Sequence, residues 1–217
     1  MGSVMVSNKG PRYAFLTLQE NRDTFFARVH QFVLPYHDDA ILVAKAYKDA
    51  KDAFRKIKRK RGERYFEHCR RVALIGMDLL GIRDHEVVIA QLHHDTSEDC
   101  GEDWPLERIE REYSKRVREL VAAVTMPTGE FASREERMAA YHAQLHAGPP
   151  ETFQIKLPDR LDNLLSCSAM SFEAQWRMIE ETEKDYLPIA RERGILYKEL
   201  KQAIAARKRV LRSSGIV

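Results

Sequence analysis

The run Gln91-Leu92-His93-His94-Asp95-Thr96-Ser97-Glu98-Asp99 constrains this chain more than any other stretch, because an apolar helical segment, Val87 to Ala90, leads straight into it. If the helix continues, Val88, Leu92, Asp95 and Asp99 fall on one face at i, i+4, i+7 and i+11. A stripe that starts apolar and faces a core would then end in carboxylates. Ionised carboxylates in such a place are costly unless they are paired or bound to a metal. The fold therefore has to bring compensating groups to Asp95 from other helices.

Helical periodicity runs through nearly the whole chain, and no strand-like alternation lasts more than a few residues, so the expected class is all-α. Thr17-Leu18-Gln19-Glu20 forms a capping-box pattern that predicts a helix to about Val33. A linker at Pro35 follows. The spacing then predicts a long helix over about 40–58 with Ile41, Ala44, Tyr47 and Phe54 inward. Gly62 predicts a loop, and the next helix runs from Tyr65 to about Leu80 and stops at Gly81. Further helices are expected from Asp84, after Pro105, over 114–124, from the second capping-box pattern at Ser133 to about His146, over 151–170, 172–183, 186–193 and 195–212. Gly148-Pro149-Pro150 separates two of them. No repeat or Ser/Pro-rich linker divides the chain. We expect one domain, with residues 1–39 as an N-terminal helical extension and 40–217 as the domain proper.

Composition excludes some function classes. The net charge of +3 over 217 residues does not by itself imply nucleic acid. The longest apolar run, around Val72 to Ile82, contains Asp78 and is too short to span a bilayer. No signal-peptide core is read at the N-terminus. Cys69, Cys100 and Cys167 are unclustered, which fits a reducing cytoplasm rather than a disulfide framework.

Two other helices carry candidate partners for Asp95. Tyr65, His68, Val72, Ile75 and Leu79 share one face, so His68 points to the core. A buried histidine bonded to a backbone carbonyl would fit the same position. In 152–164, Leu157, Leu161 and Leu164 form an apolar stripe. Thr152, Lys156, Asp159 and Asn163 form a polar one, which a solvated face would also explain. Brought together, His68, His94, Asp95 and Asp159 supply two imidazoles and two carboxylates, a donor set suited to Mn²⁺, Fe²⁺ or Zn²⁺. The lack of a cysteine ligand argues against a closed structural zinc site. Glu98 and Asp99, one turn on, could orient a water or act as general acid or base. Acids at a helix C-terminus otherwise oppose its dipole. The basic run Arg55 to Arg61 reads either as a solvated helix end or as a phosphate and base clamp.

The order His68, His94-Asp95, Asp159 resembles the HD superfamily of metal-dependent phosphohydrolases. Arg59, Gly62, Tyr65 and His68 followed by Val72-Ala73, the run His94 to Asp99, Leu120-Val121 with Val124-Thr125, and Lys156-Leu157-Pro158-Asp159-Arg160-Leu161-Asp162-Asn163 resemble the hydrolase domain of RelA/SpoT enzymes. The likeness extends through Glu180-Glu181-Thr182, Tyr186, Pro188-Ile189-Ala190 and Gly194-Ile195, covering about 40–200. It implies an all-α HD helical bundle that removes the 3′ diphosphate of ppGpp or pppGpp using Mn²⁺, in the stringent response. His68, His94, Asp95 and Asp159 would be metal ligands. Glu98 and Asp99 would position or activate water. Arg59 would contact the purine, and Asn163 and Lys156 the nucleotide. The length leaves no room for a synthetase domain, so the resemblance implies a stand-alone small alarmone hydrolase. Cys69 stands where the family has proline. Pro158 stands where it has a small residue, and a proline inside a helix removes a backbone bond.

Other readings stay open from sequence. The same metal site could serve ppApp or NADPH. An antitoxin could neutralise a toxin partner by contact. A homo-oligomer is compatible with the composition, and nucleic-acid binding through the basic run is the weakest reading.

Overall fold

The computed structural model describes residues 20–60 and 62–213. Among them the architecture is all-helical, and the only β feature is an isolated antiparallel bridge between Lys58 and Arg64. The helices are α1 (Arg22–Val29), α2 (Asp38–Ala53), α3 (Tyr65–Leu79), α4 (His85–His93), α5 (Thr96–Asp99), α6 (Leu106–Glu112), α7 (Lys115–Val124), α8 (Arg134–Ala147), α9 (Thr152–Ser166), α10 (Phe172–Glu181), α11 (Leu187–Arg193) and α12 (Tyr197–Ser213). α3 is central, packed against α9 and α4, while α4 also packs on α2 and α7. No helix among the described residues is long and apolar enough to cross a membrane.

Local signals explain most boundaries. Asp84 caps α4 by accepting from the amides of Glu86 and Val87, Ser114 caps α7 through Val117, and Ser133 caps α8 through Glu136. Gly81 and Gly194 take left-handed conformations after α3 and α11. At the N-terminus, Thr17, Leu18 and Gln19 of the expected capping box lie outside the described residues. The reciprocal cap actually present is Asn21 with Thr24, and its helix ends at Val29 rather than Val33. Phe25 and Val29 are fully buried in the same core as α2 and α3, and α2 opens at Asp38.

Two expectations about α2 are corrected. Ile41 is 57% exposed, not inward. The buried face is Ala40, Val43, Ala46, Tyr47 and Ala50, three alanines around a tyrosine that packs on Phe25, Phe26 and Phe66. The helix also stops at Ala53, followed by a 3-10 turn, Phe54–Lys56, and does not reach Lys58. The basic run is therefore a turn and not a helix end. Arg61 lies outside the described residues.

α9 continues through Pro158. The proline has no N–H to give the carbonyl of Gln154. That carbonyl instead accepts from Gln91 Nε2 of α4 at 2.8 Å. The amide reaches it past Gly76 of α3, where a Cβ would stand 2.3 Å from Gln91 Nε2. Gly76→Ala must therefore push the amide aside. Leaving a buried polar group unpaired costs about 1–3 kcal/mol, offset by roughly 1 kcal/mol of helix propensity. We expect a net loss of up to about 2 kcal/mol in denaturant unfolding.

Candidate metal centre and active site

Three helices deliver the four sequence-predicted ligands to one place. His68 comes from the middle of α3, and Asp159 from α9 just after Pro158. α4 does not continue through Asp95 as the stripe suggested. It ends at His93, and Asp95, at φ −105° and ψ −1°, caps the short α5. The break is what turns Asp95 back toward the imidazoles. Its Oδ2 lies 2.9 Å from His94 Nε2 and 3.5 Å from His68 Nε2. Asp159 Oδ1 lies 3.2 Å from His68 Nε2 and 3.9 Å from His94 Nε2. One donor atom each from His68, His94 and Asp159 falls within 4.8 Å of the others.

The far side of each imidazole is occupied, which decides which nitrogen faces the centre. His68 Nδ1 bonds Asp162 Oδ2 at 2.6 Å, a carboxylate and not the backbone carbonyl that a purely structural histidine would use. His94 Nδ1 bonds the carbonyl of Gln91 at 2.8 Å. Both Nε2 atoms are thereby aimed inward, the arrangement that orients metal-bound histidines. His94 Nε2 is buried, with the Asp95 carboxylate at 2.9 Å and that of Asp159 at 3.9 Å. Two inward-facing imidazole nitrogens beside two carboxylates, with no thiolate in the set, fit a divalent cation bound by nitrogen and oxygen. These residues fit the group.

The electrostatics agree. Burial alone would lower the His68 pKa, but its hydrogen bonds to Asp159, Asp162 and Asp95 raise it to about 10. Burial would raise Asp159 and Asp95. The Lys156 charge and the histidines hold Asp159 well below the usual carboxylate range, and His94 and His68 do the same for Asp95. Negative charge is thus stored around two imidazoles, where a cation would be stabilised. Glu98 and Asp99 sit exposed at the start of the next turn. Desolvation and the Asp95 charge raise both carboxyl pKa values, although Glu98 also accepts from the Met126 amide.

The expected nucleotide contacts divide into two groups. Arg59 Nη1 donates to Asp162 Oδ2 at 3.1 Å and to Ser166 Oγ at 3.0 Å, and its Nη2 donates to Asn163 Oδ1. Arg59 and Asn163 line one cavity of about 370 Å³ with Tyr65, Met170 and Met178. Lys156 is elsewhere: its ammonium donates to Asp159 Oδ2 at 2.8 Å, 5.1 Å from the centre of the Tyr141 ring. It supports the carboxylate and does not line that cavity.

Several residues escape a reading of the sequence. Asp162 is 1% exposed and joins His68, Arg59 and Arg71. Its signal is its place three residues after Asp159, one turn along the same helix. Tyr65 donates to Asp95 Oδ2 at 2.9 Å. His93, fully buried, meets the Tyr113 hydroxyl at 3.0 Å, which in turn donates to Asp49. Burial pushes the His93 pKa down to about 3, so this imidazole is neutral.

Comparison with known proteins places this geometry. The sequence profile described as "HD domain" matches residues 46–196. A guanosine-3′,5′-bis(diphosphate) 3′-pyrophosphohydrolase of Aquifex aeolicus is 35% identical over 162 residues, covering 74% of this chain and 23% of that protein. The bifunctional (p)ppGpp synthase/hydrolase SpoT of Escherichia coli is 28% identical over 176 residues, 78% of this chain and 24% of that one. The chain thus spans about a quarter of the length of these curated relatives. A solved structure of a metazoan SpoT orthologue, described as hydrolysing ppGpp, superposes with a TM-score of 0.67 at 24% identity. It covers 76% of this chain and 95% of that one, and it shows a shared fold. With the profile spanning well over half of its residues, the chain belongs to the HD-domain family.

Proposed function

We propose that this protein is a Mn²⁺-dependent hydrolase of guanosine alarmones, converting ppGpp or pppGpp to GDP or GTP and pyrophosphate. Water adds to the phosphorus nearest the ribose, and the bond to the 3′ oxygen breaks. The observation that carries the reading is the convergence of His68, His94, Asp95 and Asp159, with both histidine Nε2 atoms facing the two carboxylates. The activities named for the relatives support the choice of substrate.

In this reading His68, His94, Asp95 and Asp159 hold the metal. A bound divalent cation would acidify a water and offset charge on the phosphoryl oxygens. The chain's own residues do the rest. Asp162 and the Gln91 carbonyl fix the ring orientations. Glu98 and Asp99, with raised pKa values, orient the attacking water and move its proton. Arg59 would stack on the purine, and Asn163 would bind the ribose side. Lys156 holds Asp159 in place, close enough to carry charge toward a phosphate. The free state of all three cysteines supports a cytoplasmic setting, in the stringent response.

The test is direct. Mn²⁺-loaded protein should release pyrophosphate from ppGpp, lose that activity with EDTA and regain it with added Mn²⁺. A parallel panel of pppGpp, ppApp and NADPH separates alarmone hydrolysis from another substrate at the same centre. If loaded protein leaves ppGpp intact, the substrate assignment is wrong. Rescue of cells from a toxin partner by an Asp95→Ala variant would point instead to neutralisation by contact. The elution volume of the intact protein decides whether it forms a homo-oligomer.

A further inference from the structure

We propose that Gln91 is a positioning residue that sets the spacing between the metal-site residues just after α4 and the one on α9, and that Pro158 is what makes it necessary. The inference rests on the metal-centre reading above.

Gln91 is fully buried and touches both halves of the site without belonging to it. Its backbone carbonyl accepts from His94 Nδ1 at 2.8 Å, which holds that ring with Nε2 inward. Its side-chain amide donates to the Gln154 carbonyl at 2.8 Å. Gln154 lies four residues before Pro158, so its carbonyl is the one that the proline cannot pair. Asp159 follows Pro158 directly. A single residue therefore ties the tautomer of His94 to the stretch of α9 that presents Asp159. Gln91 Oε1 makes no hydrogen bond among the described residues, so the amide is not held there by a second polar partner. The path is also prepared on α3, eight residues after His68. Gly76 leaves the room the amide occupies, and any Cβ there would collide with it. The three helices that position the site residues thus each supply one part of the joint: the gap, the donor and the freed acceptor.

A buried glutamine that only fills space would behave differently from one that serves a proline's orphaned carbonyl. In the second case its value disappears when the proline does, because alanine at that position brings back the N–H that pairs Gln154 within the helix. Four proteins separate the two: wild type, Gln91→Met, Pro158→Ala and the double variant. The readouts are Mn²⁺ affinity by calorimetry on the metal-free proteins and the split of kcat from KM on ppGpp. Gln91→Met is expected to weaken Mn²⁺ binding by about 10–100-fold, the range for groups that orient metal ligands. It should lower kcat while leaving KM near the wild-type value. Pro158→Ala alone, and the double variant, should bind Mn²⁺ within about threefold of each other, because the two changes act on one shared bond.

An equal loss from Gln91→Met whether or not Pro158→Ala is also present would overturn the proposal. So would wild-type Mn²⁺ affinity in Gln91→Met. If Gln91→Met does not fold, Gly76→Ala displaces the same amide with Gln91 retained. Its Mn²⁺ affinity, with and without Pro158→Ala, must show the same pattern or the proposal falls. Wild-type protein that binds no Mn²⁺ would overturn the metal reading itself and this inference with it. Mn²⁺ binding without ppGpp hydrolysis would reject the substrate alone, and the affinity comparison would still decide the role of Gln91.

Discussion

Asp95→Ala protein is expected to keep its helical fold and lose about 10²–10³-fold in the rate of pyrophosphate release, the order seen when a preorganised electrostatic group is removed from an active centre. Asp95 is the proposed ligand whose removal should least disturb packing. Its side chain is 19% exposed, against 1% for His68, 3% for His94 and 6% for Asp159. The partners it leaves behind are not stranded. Tyr65 already lies beside Asp99, and His94 keeps its bond to the Gln91 carbonyl. The measurement pairs steady-state release from ppGpp with Mn²⁺ titration and circular dichroism. Loss of activity with an unchanged spectrum fits the assignment. A variant that hydrolyses ppGpp at the wild-type rate would show that the reaction does not use this carboxylate.

Asp162→Ala should do the reverse, with its largest effect on stability. The Asp162 carboxylate accepts from His68, from Arg71 Nε at 2.6 Å and from Arg59 Nη1 at 3.1 Å. Burial would raise its pKa, but these partners hold it below the usual carboxylate range. Taking one partner out of a buried ionic cluster costs about 3–5 kcal/mol, because the remaining charges stay buried. Arg71 keeps Glu63, at 2.9 Å and 3.1 Å, which favours the lower end. For a chain of this size each kcal/mol is worth about 2–4 °C in Tm, so a fall of roughly 10 °C is expected in a thermal melt. Mn²⁺ affinity should drop by about 10–100-fold as the His68 ring loses its anchor. A melt within a degree or two of wild type would mean that Arg59 and Arg71 find other partners at no cost.

The all-helical class can be read from sequence because it follows from periodicity, as do the buried positions of the candidate ligands His68 and Asp159. His68 shares a face with Val72 and Ile75, and Asp159 lies amid leucines that have to be buried. The details that fail depend on tertiary contacts. The stripe Val88-Leu92-Asp95-Asp99 assumes one straight helix, whereas Asp95 reaches the imidazoles because α4 stops at His93. Ile41 reads as inward because it is large and apolar, but α2 buries the face of Ala40, Val43, Ala46, Tyr47 and Ala50 instead. Arg59 reads as part of a helix end. It lies in the turn closed by the Lys58–Arg64 bridge and folds onto α9, a contact 103 residues away in sequence that no local pattern encodes. Asp162 is missed because the polar stripe runs through Asn163. A histidine whose second nitrogen needs a carboxylate is a reason to look one turn beyond each candidate ligand.

Pro158 carries a consequence of a different kind. A regular helix offers the same paired backbone at every turn, so a neighbour sliding along it by one turn would meet nothing new. The proline marks one turn of α9 as unlike the rest, with a single carbonyl facing outward in want of a donor, and α4 holds the donor at one height only. A residue usually counted as a flaw in a helix thus acts here as an alignment notch, giving two smooth rods one way to sit side by side.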